Sequence, residues 1–320
     1  MKGSLWYTYL IQEVGYMAFN LFLTAVIAAS VAGQSFQCAQ EQRQKDYALI
    51  EQQKIEEEQR KAEEEAAKKL QFDYEAINAL MPYQPSENSS LVGYNDAKSW
   101  WFSRNSTHEP PSAQRDIAIK NYDTYYLGDV SRKVIYLTFD EGYENGCTAK
   151  ILDTLKENDV KAAFFVTKSY IQDQPELVKR MTAEGHIVGN HSVSHPDMTT
   201  LSDEKIKEEI EGCAQYFKEV TGEEMPKFFR PPAGAYSIRT LEKTKELGYK
   251  TIFWSFAYKD WLVDEQPGAQ TAYSMVMNNS HNGSIMLLHA VSQSNTEALD
   301  KIIKDLKAQG YSFESLERLP

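Results

Sequence analysis

A chain of 320 residues exceeds one average domain, so one larger domain with additional segments is expected. Its 42% hydrophobic and 25% charged residues are ordinary for a globular protein, and a formal net charge of −12 argues against nucleic acid as the main partner. The three cysteines form no Cys-x-x-Cys pair, which argues against a zinc finger or a disulfide framework; Cys147 and Cys213 could pair only in an oxidising compartment.

The first element is an apolar run at residues 17–33 (MAFNLFLTAVIAASVAG), behind a weakly charged segment carrying Lys2 and Glu13. Its length lies between a signal-peptide core and a thin transmembrane helix. Ser30-Val31-Ala32 suits signal-peptidase cleavage, whereas the long preceding segment suits an anchor. Residues 1–37 are therefore read as a signal peptide or membrane anchor, which puts the bulk of the chain outside the cytoplasm, secreted to the wall side or membrane-anchored. Residues 38–80 are rich in Gln, Glu, Lys and Ala (EQQKIEEEQRKAEEEAAKKL), with opposite charges three or four apart. They read as a solvated helical spacer. Leu49, Ile55, Ala62, Ala66 and Leu70 are too sparse for a coiled-coil seam. Met81-Pro82-Tyr83-Gln84-Pro85 breaks the helix, so residues 81–91 are a linker and 92–320 the main domain. Trp100-Trp101-Phe102 is read as an aromatic cluster packing on that domain rather than lining a groove.

Beyond residue 130, strand and helix patterns alternate. Val134-Ile135-Tyr136-Leu137-Thr138-Phe139 is β-branched and aromatic enough for a buried strand. Residues 162–166, 186–190, 228–229, 251–254, 285–288 and 311–313 continue the series. A helix is expected from Pro175 to Glu184, ahead of Gly185; another runs from a Ser202 cap to about Val220, and a third opens with Ser294-Asn295-Thr296-Glu297, a capping box. The alternation predicts an α/β fold with a mostly parallel sheet. Seven strand candidates in about 190 residues fit a compact barrel better than an eightfold one.

Titratable groups recur directly after these strands, where α/β folds collect their chemistry. The first strand ends in Asp140-Glu141, the third in His191-Ser192-Val193-Ser194-His195, the fourth in Arg230-Pro231-Pro232-Ala233-Gly234. The fifth is followed by Asp260-Trp261 and the sixth ends at His289. Adjacent carboxylates at the mouth of an apolar strand call for a cation, a proton relay or both. A His-x-x-x-His pair with a neighbouring carboxylate can present a facial N,N,O set to a metal, although two hydrogen-bonded structural histidines give the same spacing.

Together TFDEG, HSVSH, RPPAG, KDW and LLH, in that order, resemble the polysaccharide deacetylase family, metal-dependent carbohydrate esterases with a NodB-homology domain. The resemblance covers residue 92 to the C-terminus. The longer strings YLTFDEGYENG, EGHIVGNHSVSHPDM and LLHAVSQSNTEALD are most similar to the δ-lactam-biosynthetic deacetylases, which remove the N-acetyl group from peptidoglycan muramic acid on the way to spore-cortex muramic δ-lactam. The resemblance implies a distorted (β/α)7 barrel, with peptidoglycan glycan strands as partner and no required protein partner. It implies a divalent metal, zinc by expectation, held by His191 and His195, which would polarise the acetamide carbonyl and acidify a water. It gives Asp140 as general base, paired with Arg230, and His289 as general acid, held by Asp260. A backbone N–H at Ala233 would meet the oxyanion, and Trp261 and Leu287 would wall the groove and the acetyl pocket.

Two positions depart from the family pattern. Glu141 stands where a second Asp supplies the third metal ligand: it is expected to reach the metal with a small shift, the alternative being a site of two histidines and extra waters that binds metal more weakly. No basic residue follows Arg230 in the third motif, so the cation for a lactyl carboxylate must come from elsewhere, with Lys227, Arg239 and Lys259 as candidates. Deacetylation of N-acetylglucosamine units is the alternative within enzymes, and a catalytically silent wall-binding module the alternative outside them.

Overall fold

A strand that is apolar on both faces must be covered on both, and the run after Lys133 meets this by lying between two hydrophobic cores. In the computed structural model, which describes residues 93–105, 107–114 and 117–320, it lies within an eight-stranded sheet. The strands are β1 (Thr124–Tyr125), β2 (Val134–Glu141), β3 (Ala163–Val166), β4 (Ile187–Asn190), β5 (Phe228–Phe229), β6 (Lys250–Ile252), β7 (Ser284–His289) and β8 (Ser312–Phe313). Their order is β7-β2-β3-β4-β5-β6-β1, with β8 also on β2, and every pairing is parallel. Helices α1 (Thr148–Glu157), α2 (Lys168–Asp173), α3 (Pro175–Ala183), α4 (Asp203–Thr221), α5 (Ile238–Glu246), α6 (Ala269–Asn279) and α7 (Gln293–Ala308) fill the crossovers.

The two ends of the sheet are drawn together by irregular bonds. Past β6, Ser255 N donates to the Ile285 carbonyl at 3.0 Å, and Leu287 N donates back to Phe256 at 2.8 Å. Past β1, Gly128 N donates to Gly283 at 2.8 Å. The result is the expected distorted barrel. All seven expected strands are present, joined by β1, whose two residues are too few to carry a pattern.

Side chains along β2 alternate between two cores, as strand geometry requires. Ile135, Leu137 and Phe139 join the helix-covered layer with Leu152 of α1 and Ile302 of α7. Val134 and Tyr136 point into the barrel with Phe165, Ile252 and Ile285. Continued to the end of the strand, this parity sends Thr138 and Asp140 inward and Glu141 toward the helices.

Helix boundaries follow local chemistry. Ser202 caps α4, its hydroxyl accepting from Lys205 N, and Gly222 closes the helix in the left-handed conformation. The last helix starts earlier than the Ser294 capping box predicts: its cap is Ser292, which accepts from Asn295 N at 3.2 Å. Ser294 Oγ is instead engaged by Gly268 N. Trp100 packs as expected, stacked on Phe253 with ring centroids 4.5 Å apart and its indole N–H on the Trp254 carbonyl. Trp101 is exposed. Cys147 and Cys213 are both free and buried rather than paired; Cys213 Sγ donates to the Val166 carbonyl, and burial pushes its thiol pKa up to about 12. Among the described residues no helix is long and apolar enough to cross a membrane. The apolar run, the spacer and the linker of residues 1–91 lie outside the described residues.

Candidate active site

Asp140 sits at the last inward position of β2, paired in register with His289 of β7 on one side and Phe165 of β3 on the other. Arg230, directly after β5, reaches it across the barrel. The guanidinium is fully buried and uses each nitrogen: Nη1 on Asp140 Oδ1 at 2.7 Å, Nη2 on Thr138 Oγ1 at 2.9 Å, Nε on the Ile252 carbonyl at 3.0 Å. It also lies 4.2 Å from the Phe165 ring centroid. Burial alone would raise the Asp140 pKa, but the Arg230 cation, with His191 and His289 beyond it, holds the carboxyl below its ordinary value.

The His-x-x-x-His segment leaves β4 as a tight loop, with Ser192 and His195 both at positive φ (72° and 56°). A neighbouring helix holds this unfavourable backbone in place. Glu209 of α4 accepts from Val193 N, Ser194 N and the Ser194 hydroxyl, and Ser192 Oγ accepts from His195 N at 2.9 Å. The two imidazoles end with centroids 4.8 Å apart. His191 Nδ1 lies 2.8 Å from the Arg230 carbonyl, which makes Nδ1 the protonated nitrogen and leaves Nε2 a lone pair, 3.7 Å from Asp140 Oδ2. Burial pushes the His191 pKa down to about 4, so the ring is neutral, the form that binds metals. Two convergent imidazoles, one oriented by a backbone carbonyl, fit a divalent ion with open positions.

The other wall carries a histidine of opposite charge preference. His289 Nδ1 is 2.7 Å from Asp260 Oδ1, and its backbone N donates to Asp260 Oδ2 at 2.9 Å. Burial works against the imidazolium, but the bond to Asp260 and its charge outweigh it and raise the His289 pKa. A carboxyl whose pKa is held down and a histidine whose pKa is held up therefore face one cleft of about 830 Å³, lined by Asp140, His191, His195 and His289 together with Ala233, Trp261 and Leu287. Such an arrangement can take a proton from a nucleophile and return one to a leaving group.

Residues 127–252 match the polysaccharide deacetylase family model. The chain is also 47% identical over 227 residues to the peptidoglycan-N-acetylmuramic acid deacetylase PdaA of Bacillus subtilis, covering 70% of this chain and 86% of that one. The chain belongs to the polysaccharide deacetylase family. The solved structure of Bacillus subtilis PdaA, a family 4 carbohydrate esterase, matches with a TM-score of 0.69 at 46% identity, over 70% of this chain and 97% of that chain. A peptidoglycan-N-acetylglucosamine deacetylase of Bacillus cereus is 34% identical over 194 residues, 59% of this chain and 89% of that one.

In this deacetylase Trp261 is partly exposed, its ring 5.4 Å from His289, and Leu287 is buried at the cleft floor. Ala233 is exposed at positive φ (52°) in the turn after Arg230. Glu141 stands apart from them. It is fully buried, does not line the cleft, and Oε1 accepts from Thr148 Oγ1 of α1 at 3.3 Å. The reason is the strand parity above: the residue after an inward Asp140 must face the helices. Burial, then the nearby Glu144 charge, raises its pKa well above the ordinary value. Among the described residues no three His, Cys, Asp or Glu side chains are set to hold a metal; His191 and His195 are the two expected ligands that line the cleft.

The candidate cations separate likewise. Lys227 lies over Tyr249, and Arg239 is bonded to Asp203 and to the Thr199 and Leu201 carbonyls. Lys259 does line the cleft, as does Arg104, which the motifs do not include. Thr138, Glu209 and Asn295 also escaped the sequence reading. Thr138 lies inside the first motif, whereas nothing in the sequence marks Glu209 as the residue holding the histidine loop.

Proposed function

We propose that the chain hydrolyses the N-acetyl group of muramic acid in peptidoglycan glycan strands, with a divalent ion, zinc by expectation, held by His191 and His195. The observation that carries this reading is a pair of opposed contacts across one cleft: Arg230 Nη1 on Asp140 Oδ1 at 2.7 Å, which lowers the Asp140 pKa, and His289 Nδ1 on Asp260 Oδ1 at 2.7 Å, which raises the His289 pKa. The ion would polarise the acetamide carbonyl and make water more acidic. Asp140 takes the proton of the attacking water, and Arg230 fixes its orientation. The backbone N–H at Ala233 meets the oxyanion. His289 passes its proton to the departing amine, so acetate and a free amino sugar leave. Trp261 and Leu287 wall the sugar and acetyl positions.

Muramic acid, rather than glucosamine, is supported by the 47% identity to PdaA against 34% to the Bacillus cereus enzyme. Two cations on the cleft wall suit its lactyl carboxylate: Lys259, paired at the surface with Glu265 at 3.2 Å, and Arg104, whose guanidinium donates to the Ala257 carbonyl. Supply of muramic acid for δ-lactam in spore cortex, and work outside the cytoplasm, follow from this reading. The test is acetate release from acetylated glycan strands alongside metal content. Asp140→Asn should abolish turnover and keep the metal, whereas His191→Ala should lose both. Full turnover in Asp140→Asn, or tight metal binding in His191→Ala, would contradict the assignment.

A further inference from the structure

Asp260 is buried and its carboxylate has one more partner than the His289 pair needs. Oδ1 meets His289 Nδ1, while Oδ2 accepts from His289 N and also, at 2.6 Å, from the side-chain Nδ2 of Asn295. Asn295 is the third residue of α7, is itself buried, and belongs to none of the five motifs. Its own Oδ1 accepts from the Tyr258 hydroxyl. These contacts settle the orientation of the amide, because turned over it would set its oxygen against the Asp260 carboxylate, acceptor on acceptor.

We propose that Asn295 is a positioning residue for the acid pair. The two donors on Oδ2 fix the plane of the carboxylate, so that Oδ1 stays on His289 Nδ1 and the ring keeps its other nitrogen toward the cleft. The helix end that carries Asn295 is tied to the same loop. Ser292 Oγ donates to Gln266 Oε1 at 2.7 Å, and Gln266 Nε2 donates to the Asp260 and Leu262 carbonyls, both at 2.9 Å. The charged groups around His289 are Asp260 from this loop, Asp140 from β2 and Arg230 from behind β5, with the Trp261 ring beside it. Asn295 touches only the first of these.

Two variants of the full-length protein test this, each checked for melting temperature and metal content. Asn295→Leu removes the donor and should lower kcat about tenfold with KM within about twofold, in line with losses on removing a partner behind a working side chain. Asn295→Asp keeps the shape and the Tyr258 bond. Protonated, it still donates to Asp260, so its kcat should match wild type on the acid side and fall at lower pH than wild type does. A residue that only stabilises the fold would lower the melting temperature of both variants and leave the kcat of the folded protein near wild type, and that result would overturn the proposal. The activity arm rests on the deacetylase reading; a second readout does not. The downfield Nδ1–H proton resonance of His289, arising from its bond to Asp260, should broaden or move in Asn295→Leu and persist in Asn295→Asp at acid pH. An unchanged resonance in Asn295→Leu would refute the positioning role. Inactive wild-type protein in the same assay would count against the deacetylase reading alone.

Discussion

Replacing Arg230 by Met should make the protein's stability fall with rising pH in a way the wild type does not. In the wild type the folded Asp140 pKa lies below its ordinary value. Asp140 therefore adds stability that is present above the unfolded pKa of about 3.9 and lost as pH falls through the lower folded value. Without the guanidinium, burial becomes the dominant influence on a side chain only 11% exposed, and the folded pKa moves above the unfolded one. The sign then reverses: ionising Asp140 opposes folding, and stability drains away as pH rises through the new pKa. At pH 3 the variant should lose chiefly the charge-assisted bonds to Thr138 and Ile252, roughly 1.5–3 kcal/mol each. Above pH 7 it should lose about 3–5 kcal/mol more, the range for breaking a buried ion pair by removing one partner. Urea unfolding of the metal-free protein from pH 3 to pH 8 measures this directly. A destabilisation that stays constant across that range would refute the reasoning, because Arg230 would then act by packing and not by holding a charge.

The other predictions concern the remaining ionisable groups. Glu141→Gln should match wild type below pH 4.5 and be more stable at neutral and alkaline pH. Its raised folded pKa means that stability is lost as pH rises through that value, about 1.4 kcal/mol per unit of elevation. Its metal content should stay unchanged; reduced metal content would place Glu141 back among the ligands. Asp260→Asn should move the alkaline limb of the kcat profile to lower pH, because the influence that raises the His289 pKa is removed and burial then lowers it. A limb that does not move would show that another group is the acid.

The barrel and the polar groups gathered around its cleft were legible because strand ends concentrate polar residues that no core position tolerates. Asp140 and His289 end their strands, Arg230 directly follows one and Asp260 lies in the loop after another, and registry alone brings Asp140 opposite His289. What the sequence hid was orientation and support. Glu141 looked like a ligand because it adjoins Asp140, yet adjacency along a strand is what sends two side chains to opposite faces. Glu209 and Asn295 lie on helices, where an Asn or Glu is indistinguishable from a solvated residue until the helix is docked. Ser292 displaced the expected cap because a Ser at either position fits the local rule, and Gln266 and Gly268 from a distant loop take up the alternatives.

The most direct measurement is mass spectrometry of peptidoglycan glycan strands, with and without stem peptides, after incubation with the full-length protein, run with zinc and again with chelator. The account predicts loss of acetyl from muramic acid, seen only with metal. Loss from glucosamine units instead would contradict the muramic assignment, and no loss under any metal would contradict the central claim itself.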